Sequence, residues 1–202
     1  MTMKHRRSAV LLVALASGLP LGCRTAENYL EPDRPLYEGA FGTAPSPRPE
    51  LRVVSFNVEF GLRIPEAIRA LQAEPALRAP DLLLLQEMDA PGVEAVARAL
   101  GLNYVYYPSS VHPTYKRDIG TAVLSPWPVE DRSKVQLPHT SRLSGHARAA
   151  VAATVRVAGR PVRAYSLHLG TLHEHVHLEN NVLFPRVVTL QAHAGGSRGG
   201  AR

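Results

Sequence analysis

Two apolar segments of this 202-residue chain end in polar residues that could bind a metal ion. Residues 51–59 read LRVVSFNVE, and residues 81–87 read DLLLLQE. Apolar runs of this length are typical of strands buried on both faces, and their last residues emerge at an open edge of the sheet. Asn57 and Glu87 are therefore expected to meet at one edge. A carboxylate and a carboxamide suit a hard divalent cation, which prefers oxygen ligands.

Two further residues could serve the same edge. Glu59 follows Asn57 by two positions, on the same side of an extended strand, and could join the metal ligands; a surface carboxylate is the alternative. His168 lies between Leu167 and Leu169, so its imidazole is expected on the polar side of a strand. A protonated imidazole there could donate a hydrogen bond to a phosphate oxygen near neutral pH.

Four segments resemble motifs of the endonuclease/exonuclease/phosphatase superfamily, which includes deoxyribonucleases, abasic-site endonucleases, inositol-phosphate phosphatases and sphingomyelinases. They are residues 55–59 (SFNVE), 85–87 (LQE), 120–125 (GTAVLS) and 165–169 (YSLHL). The resemblance extends over about residues 51–170 and implies a phosphoesterase that depends on Mg²⁺ or Mn²⁺. It implies that Glu87 is a metal ligand, that Asn57 orients the metal shell or the phosphate, and that His168 is catalytic.

The same resemblance implies two substrate-binding residues. Arg148 is similar to an arginine of the family that contacts phosphate, and its planar guanidinium suits a two-pronged contact with phosphate oxygens. Tyr115 is placed to reach the substrate as well. An exposed arginine on an edge strand and a tyrosine packed over a loop explain these two residues equally well.

The elements between these motifs predict an α/β (α+β) fold. The two predicted helices are residues 65–73 and 91–100, each with proline in its first turn. The predicted strands, beyond the two apolar runs, are residues 103–107, 119–124, 149–157 and 162–169. Strands and helices that alternate at first and then give way to hairpins indicate a mixed sheet with helices on one face.

The superfamily fold is a four-layer α/β sandwich of the deoxyribonuclease-I-like type, and this chain resembles only its first half. The Gly-Asp-Phe-Asn and Ser-Asp-His segments of the second half do not occur after His168. The sequence therefore predicts an incomplete domain over residues 51–171, weakly active or inactive. It also predicts that strands such as Leu82–Leu85 and Val151–Val157 lack a covering sheet and are exposed.

The N-terminus is typical of an export signal. Lys4, Arg6 and Arg7 precede an apolar stretch that ends at Cys23, the only cysteine, so residues 1–23 are predicted to be a lipoprotein signal with Cys23 lipidated. A secreted protein is the alternative.

The chain without its predicted signal is only mildly basic. Lys4, Arg6 and Arg7 account for three of the six formal net positive charges, and no acidic residue precedes Cys23. The remaining net charge of +3 does not by itself indicate nucleic-acid binding. Residues 24–50 are rich in proline and are predicted to be an extended linker.

A second resemblance lies in the tail. Residues 172–190 are predicted to be a His-rich helix, and residues 173–186 within it resemble hemerythrin-like di-iron proteins of the iron–sulfur-cluster repair type, with His175 and Glu179 at helical i,i+4 spacing. A complete di-iron centre needs ligands from several helices, so the alternative is a His-rich amphipathic helix that binds zinc or nickel adventitiously. Residues 191–202 are predicted to be disordered.

The sequence thus predicts an exported, metal-dependent phosphoesterase, tethered to a membrane through Cys23. Its substrate is a nucleic acid, a phospholipid head group or a small phosphoester, and no protein partner is inferred. The alternatives are a non-catalytic envelope binding protein or fragment, and an iron-binding role for the tail.

Overall fold

The computed structural model describes residues 26–138, 140–141 and 145–169, which form two β-sheets and two helices. The strands are β1 Tyr37–Gly39, β2 Val53–Asn57, β3 Leu82–Met88, β4 Asn103–Val111, β5 Asp118–Ser125, β6 Val129–Gln136, β7 Ala149–Val157 and β8 Arg160–Leu167. The helices are α1 Ile64–Ala73 and α2 Ala90–Leu100, and a 3₁₀ turn covers Glu59–Gly61. The predicted α/β class is confirmed.

The first sheet has five strands in the order β1-β4-β5-β3-β2. β2 and β3 are parallel because α1 connects them in a crossover, whereas the other neighbours are antiparallel. The helices cover one face of this sheet with an apolar core that includes Leu71, Leu83, Leu85 and Val93. Asp89 immediately precedes helix α2, and its carboxylate accepts the N–H of Gly92 at 2.9 Å and so caps the first turn.

The second sheet, β6-β7-β8, packs on the other face of the first. The layer between the sheets is apolar, and its buried members are Leu82, Val105, Tyr107, Val123, Trp127, Val151, Ala153, Val155 and Ala164. The prediction that Leu82–Leu85 and Val151–Val157 are exposed is therefore wrong. The physical reason is that the β6–β8 meander, of which the sequence indicated only two strands, turns its apolar face onto β3, β4 and β5.

Strand β6 was not predicted, and its residues explain why. Only Lys134 of the eight residues Val129–Gln136 is buried, and the segment EDRSK shows no alternation of apolar and polar side chains. Pairing with β7 makes it a strand: Gln136 lies opposite Ala149 and Val129 opposite Val155. Tertiary context decides this element.

Part of the predicted linker belongs to the domain. β1 pairs with β4, placing Tyr37 opposite Tyr106, and Asn28 forms a bridge with Ser110. The hydroxyl of Tyr29 donates to Asp118 at 2.9 Å. Residues 26–50 are therefore not a free tether over their whole length, since proline excludes helix but leaves an extended segment able to pair at a sheet edge.

Cys23, His175 and Glu179 lie outside the described residues, as do the predicted signal, the His-rich helix and the C-terminal tail. Within the described ranges, neither helix is long and apolar enough to cross a membrane.

The carboxylate of Asp81 links the segment before β2 to the residues that follow β5, and we expect it to make folding sensitive to acid. Asp81 is 2% exposed, and its carboxylate accepts three hydrogen bonds: from the backbone N–H of Arg52 at 2.8 Å, from the Arg48 guanidinium at 2.8 Å and from the indole of Trp127 at 3.3 Å. Burial opposes ionisation, but these donors outweigh it and hold the pKa of Asp81 below its usual value.

Because folding lowers this pKa, the contribution of Asp81 to stability is present above about pH 4 and is lost as the pH falls through the folded-state pKa. We expect Asp81→Asn to reduce the free energy of unfolding at pH 7 by about 2 kcal/mol. The difference from the parent should shrink as the pH falls below about 4. Urea unfolding at a series of pH values measures both effects, and a difference independent of pH would contradict the assignment.

Candidate active site

The candidate site lies where the parallel strands β2 and β3 end. Their register places Asn57 directly beside Gln86, so the next residue, Glu87, lies at the same edge of the sheet. This is the juxtaposition that the two apolar runs predict. Residues at the carboxyl ends of parallel strands are commonly available to ligands because the strand bodies are buried and the chain turns away at that point.

A β-bulge directs Glu87 into the site. The pairing of β3 with β5 shifts register between Leu85 and Met88, and Glu87 has a positive φ of 56°. A bulge bends the strand and reorients a side chain. The carboxylate is half-buried: Oε2 accepts the backbone N–H of Phe60 at 3.2 Å, and Oε1 lies 3.5 Å from Nε2 of His168.

Arg148 and His168 complete a line of groups that starts at Glu87. A guanidinium N–H of Arg148 donates to Nδ1 of His168 at 2.8 Å. Because arginine only donates, Nδ1 must carry the lone pair, and the imidazole proton is on Nε2, which faces Glu87. Burial and the Arg148 charge lower the pKa of His168, while Glu87 opposes the shift. The geometry therefore favours a neutral His168, in contrast to the protonated imidazole that the sequence suggested.

A buried polar bridge holds the two sheets together beside this line. The side-chain amide of Gln86 donates to the hydroxyl of Ser166 at 3.2 Å, and that hydroxyl donates to the carbonyl of Leu85 at 2.9 Å. The hydroxyl of Thr121 donates to the carbonyl of Ser166 at 3.0 Å. Ser166 precedes His168 by two residues, so this bridge fixes the position of His168 opposite Glu87. The sequence alone predicts no role for Ser166.

Asn57 lies at the end of strand β2, whereas Glu59 lies beyond the strand in the 3₁₀ turn. Asn57 is the last residue of β2, and its side-chain oxygen accepts the N–H of Glu59 at 3.0 Å. Glu59 begins the 3₁₀ turn with a φ of 44°, so the assumption of an extended strand through Glu59 is wrong. Its side chain is exposed, because the strand ends two residues earlier and the alternation of sides ends with it.

Tyr115 lies on the turn between β4 and β5 and belongs to a cluster of rings. The residue is 42% exposed, and its ring stacks on that of His112 at 4.5 Å between centroids with 29° between planes. Phe60 lies 4.7 Å from His112 and 5.6 Å from Tyr115. We call Phe60, His112 and Tyr115 the ring cluster. Phe60 and His112 were not predicted as site residues, since neither carries a motif and only folding brings residue 60 to residue 112.

Backbone strain concentrates in these segments. In the described part of the chain, seven non-glycine residues have positive φ, and four of them are Glu59, Phe60, Glu87 and Lys116. Such conformations are unfavourable for residues with a Cβ and persist only where the surroundings enforce them, which is often at functional sites. This distribution supports the location of the site independently of its side chains.

The donor atoms present fit a magnesium or manganese ion. Glu87 offers a carboxylate and Asn57 a carboxamide oxygen at the same strand edge. No group of three or more His, Cys, Asp and Glu side chains arranged to hold a metal occurs in the described ranges. Mg²⁺ does not require one, because it keeps several waters and is commonly held by one or two carboxylates together with substrate phosphates.

Comparisons with known proteins agree with this geometry. The model of the Endonuclease/Exonuclease/phosphatase family matches residues 54–195, which include every predicted site residue and overlap the region of the proposed di-iron resemblance. No curated protein matches the sequence.

Three solved structures illustrate the fold. A D. rerio TDP2 complexed with single strand DNA product is 20% identical, has a TM-score of 0.52, and is matched over 74% of this chain and 57% of that chain. A mannosyl-6-phosphatase from Bacteroides thetaiotaomicron VPI-5482 is 16% identical, with a TM-score of 0.52 and coverage of 73% and 62%. The human Nocturnin catalytic domain with bound sulfate anion is 19% identical, with a TM-score of 0.50 and coverage of 78% and 63%. The matched region thus spans between 57% and 63% of these structures.

Proposed function

The chain belongs to the Endonuclease/Exonuclease/phosphatase family, and from that premise we propose that it is a metal-dependent phosphoesterase. The observation that carries the proposal is the line of Glu87, His168 and Arg148, joined at 3.5 Å and 2.8 Å at the end of two parallel strands. Phosphoester hydrolysis needs a ligand for the metal ion beside groups that donate hydrogen bonds to the negatively charged phosphoryl oxygens.

Glu87 and Asn57 are the residues that would hold Mg²⁺ or Mn²⁺, with Glu59 as a further oxygen donor at the edge of the site. When bound, the ion neutralises charge on the phosphoryl oxygens and polarises the phosphorus centre. Glu87 is suited to this role because its carboxylate is fixed on one side by the N–H of Phe60. A fixed ligand loses little conformational entropy on binding.

His168 acts as a hydrogen-bond donor in this proposal. Arg148 occupies Nδ1, so the group available to a substrate is the N–H at Nε2, on the side of Glu87. A donor held there can hydrogen-bond a phosphoryl oxygen or the departing oxygen as negative charge develops on it. Arg148 orients the ring and adds positive charge to the anion site.

The substrate is a phosphoester. The solved structures with this fold include one that contains a DNA product and one described as a mannosyl-6-phosphatase, which supports both nucleic acids and phosphosugars as candidates.

Export and a lipid anchor at Cys23 remain part of the proposal on sequence grounds, with the cell envelope as the location. Iron binding by His175 and Glu179 has no supporting observation in the described residues.

The test is phosphate or phosphodiester hydrolysis by the purified chain across a panel of nucleotides, phosphosugars and phospholipid head-group esters. We expect turnover with Mg²⁺ or Mn²⁺ that stops on addition of EDTA and returns when excess Mg²⁺ is restored. Removal of the metal should lower the rate by about 100-fold or more, because the ion supplies several kcal/mol of transition-state stabilisation. Turnover that persists in EDTA, or inertness towards every ester in the panel, would contradict the proposal.

A further inference from the structure

The ring cluster is a preorganised surface. Two backbone N–H groups, those of Thr114 and Tyr115, donate to Nδ1 of His112 at 3.1 Å and 3.2 Å. These bonds fix the turn, in which the imidazole of His112 stacks on the ring of Tyr115 with 29° between their planes. A surface fixed in advance binds a flat partner without losing further conformational freedom.

The turn that carries this surface is fastened to the candidate active site. Arg117 forms an ion pair with the buried carboxylate of Asp89 at 2.8 Å, and it donates to the carbonyl of Gly61 at 3.4 Å. Phe60, in the same 3₁₀ turn as Gly61, packs against His112 and donates its N–H to Glu87. One hydrogen bond therefore separates the ring cluster from the proposed metal ligand.

The exposure of Tyr115 is not explained by packing. The described part of the chain has few large apolar or aromatic side chains as exposed as this one, and most of them lie in the N-terminal segment or at strand edges. Tyr115 instead is 42% exposed, while its ring stacks on His112. An aromatic ring supported on one face and open to solvent is the arrangement with which proteins stack planar bases.

We propose that the ring cluster binds the planar base of a nucleotide whose phosphate occupies the site at Glu87. This inference rests on the proposed function and narrows its substrate class to nucleotides or the terminal nucleotide of a strand, rather than phosphosugars or lipid head groups. Tyr115 supplies the stacking face, His112 supports it, and Phe60 sets its distance from Glu87. The exposed Lys116 beside it adds positive charge where the sugar-phosphate chain would leave the site.

The test separates base from phosphate by measuring equilibrium binding of adenosine 5′-monophosphate and of ribose 5-phosphate to the full chain. We expect Tyr115→Ala to weaken binding of the nucleotide by at least about fivefold and to leave binding of ribose 5-phosphate unchanged, because base stacking on an aromatic ring is worth about 1–3 kcal/mol. Tyr115→Phe and Tyr115→Trp should retain nucleotide binding. Tyr37→Ala is the matched control, since Tyr37 is a similarly exposed tyrosine on β1.

Three results would overturn the inference: no detectable binding of the nucleotide by the parent chain, equal weakening of both ligands by Tyr115→Ala, or equal losses in Tyr115→Ala and Tyr115→Phe. The last two would assign Tyr115 to the sugar or phosphate, or to its hydroxyl alone. Binding does not require turnover, so a chain that binds the nucleotide through Tyr115 but hydrolyses nothing would contradict the proposed function and leave the stacking site supported. If the parent chain hydrolyses ribose 5-phosphate as fast as the nucleotide and Tyr115→Ala changes neither rate, the proposed function is supported and the stacking site is contradicted.

Discussion

Glu87→Gln is expected to lower metal-dependent phosphoester hydrolysis by about 100-fold or more, because it removes the carboxylate that is proposed to hold the metal ion. Glutamine keeps the volume of the side chain and an oxygen that can accept the N–H of Phe60, so the 3₁₀ turn should be retained. The loss should therefore be one of charge, seen as weaker binding of Mg²⁺ together with a lower kcat.

The measurements are initial rates over a range of Mg²⁺ concentrations and thermal unfolding of the same samples. Glu130→Gln is the matched control, since Glu130 lies in β6 of the second sheet and pairs with the exposed Arg156 at 2.8 Å. We expect the control to keep both rate and melting temperature. Equal rates for Glu87→Gln and the parent at limiting Mg²⁺ would exclude Glu87 as a metal ligand.

Gly120→Ala is expected to have the largest effect on stability. A Cβ at this position would lie 2.2 Å from the carbonyl oxygen of Tyr107 and 2.6 Å from Cα of Pro108, both backbone atoms of the paired strand β4. Backbone atoms cannot rotate away as a side chain can, so the β4 and β5 pairing must open. We expect a loss of about 3 kcal/mol in the free energy of unfolding, the upper end of the range for overpacking.

For a chain of this length that loss corresponds to a fall in melting temperature of roughly 6–12 °C. Gly159→Ala provides the comparison, because nothing lies within 4 Å of a Cβ there although φ is +80°. Its effect should be limited to the backbone conformation, about 1 kcal/mol. If the two variants melt alike, steric conflict with β4 is not the reason for glycine at position 120.

Patterns within short segments of the sequence predict much of this fold. The apolar runs through Phe56 and Leu85 indicate two strands, and the interval between them, with its helix, makes those strands parallel. Only β3 is buried along its length, whereas β2 lies at the edge of the sheet and its alternate residues are exposed, so the prediction of burial is wrong for β2. Both helices, the β7–β8 hairpin and the meeting of Asn57 with the end of β3 follow from signals that lie within a few residues of each other. These features depend on hydrophobic periodicity and turn chemistry, which are properties of short segments.

Other features depend on contacts between distant residues, and the sequence alone did not determine them. Strand β6 exists because β7 pairs with it, and β1 because β4 offers an open edge. The protonation of His168 depends on Arg148, which precedes it by 20 residues, and its position depends on the bridge from Gln86 to Ser166.

The ring cluster joins residue 60 to residues 112 and 115, and the bulge that directs Glu87 arises only when β3 meets β5. In each case the deciding free energy comes from pairing, burial or charge across the fold. The conformational preferences of short segments do not include these interactions between distant residues, so only the tertiary structure decides the features that depend on them.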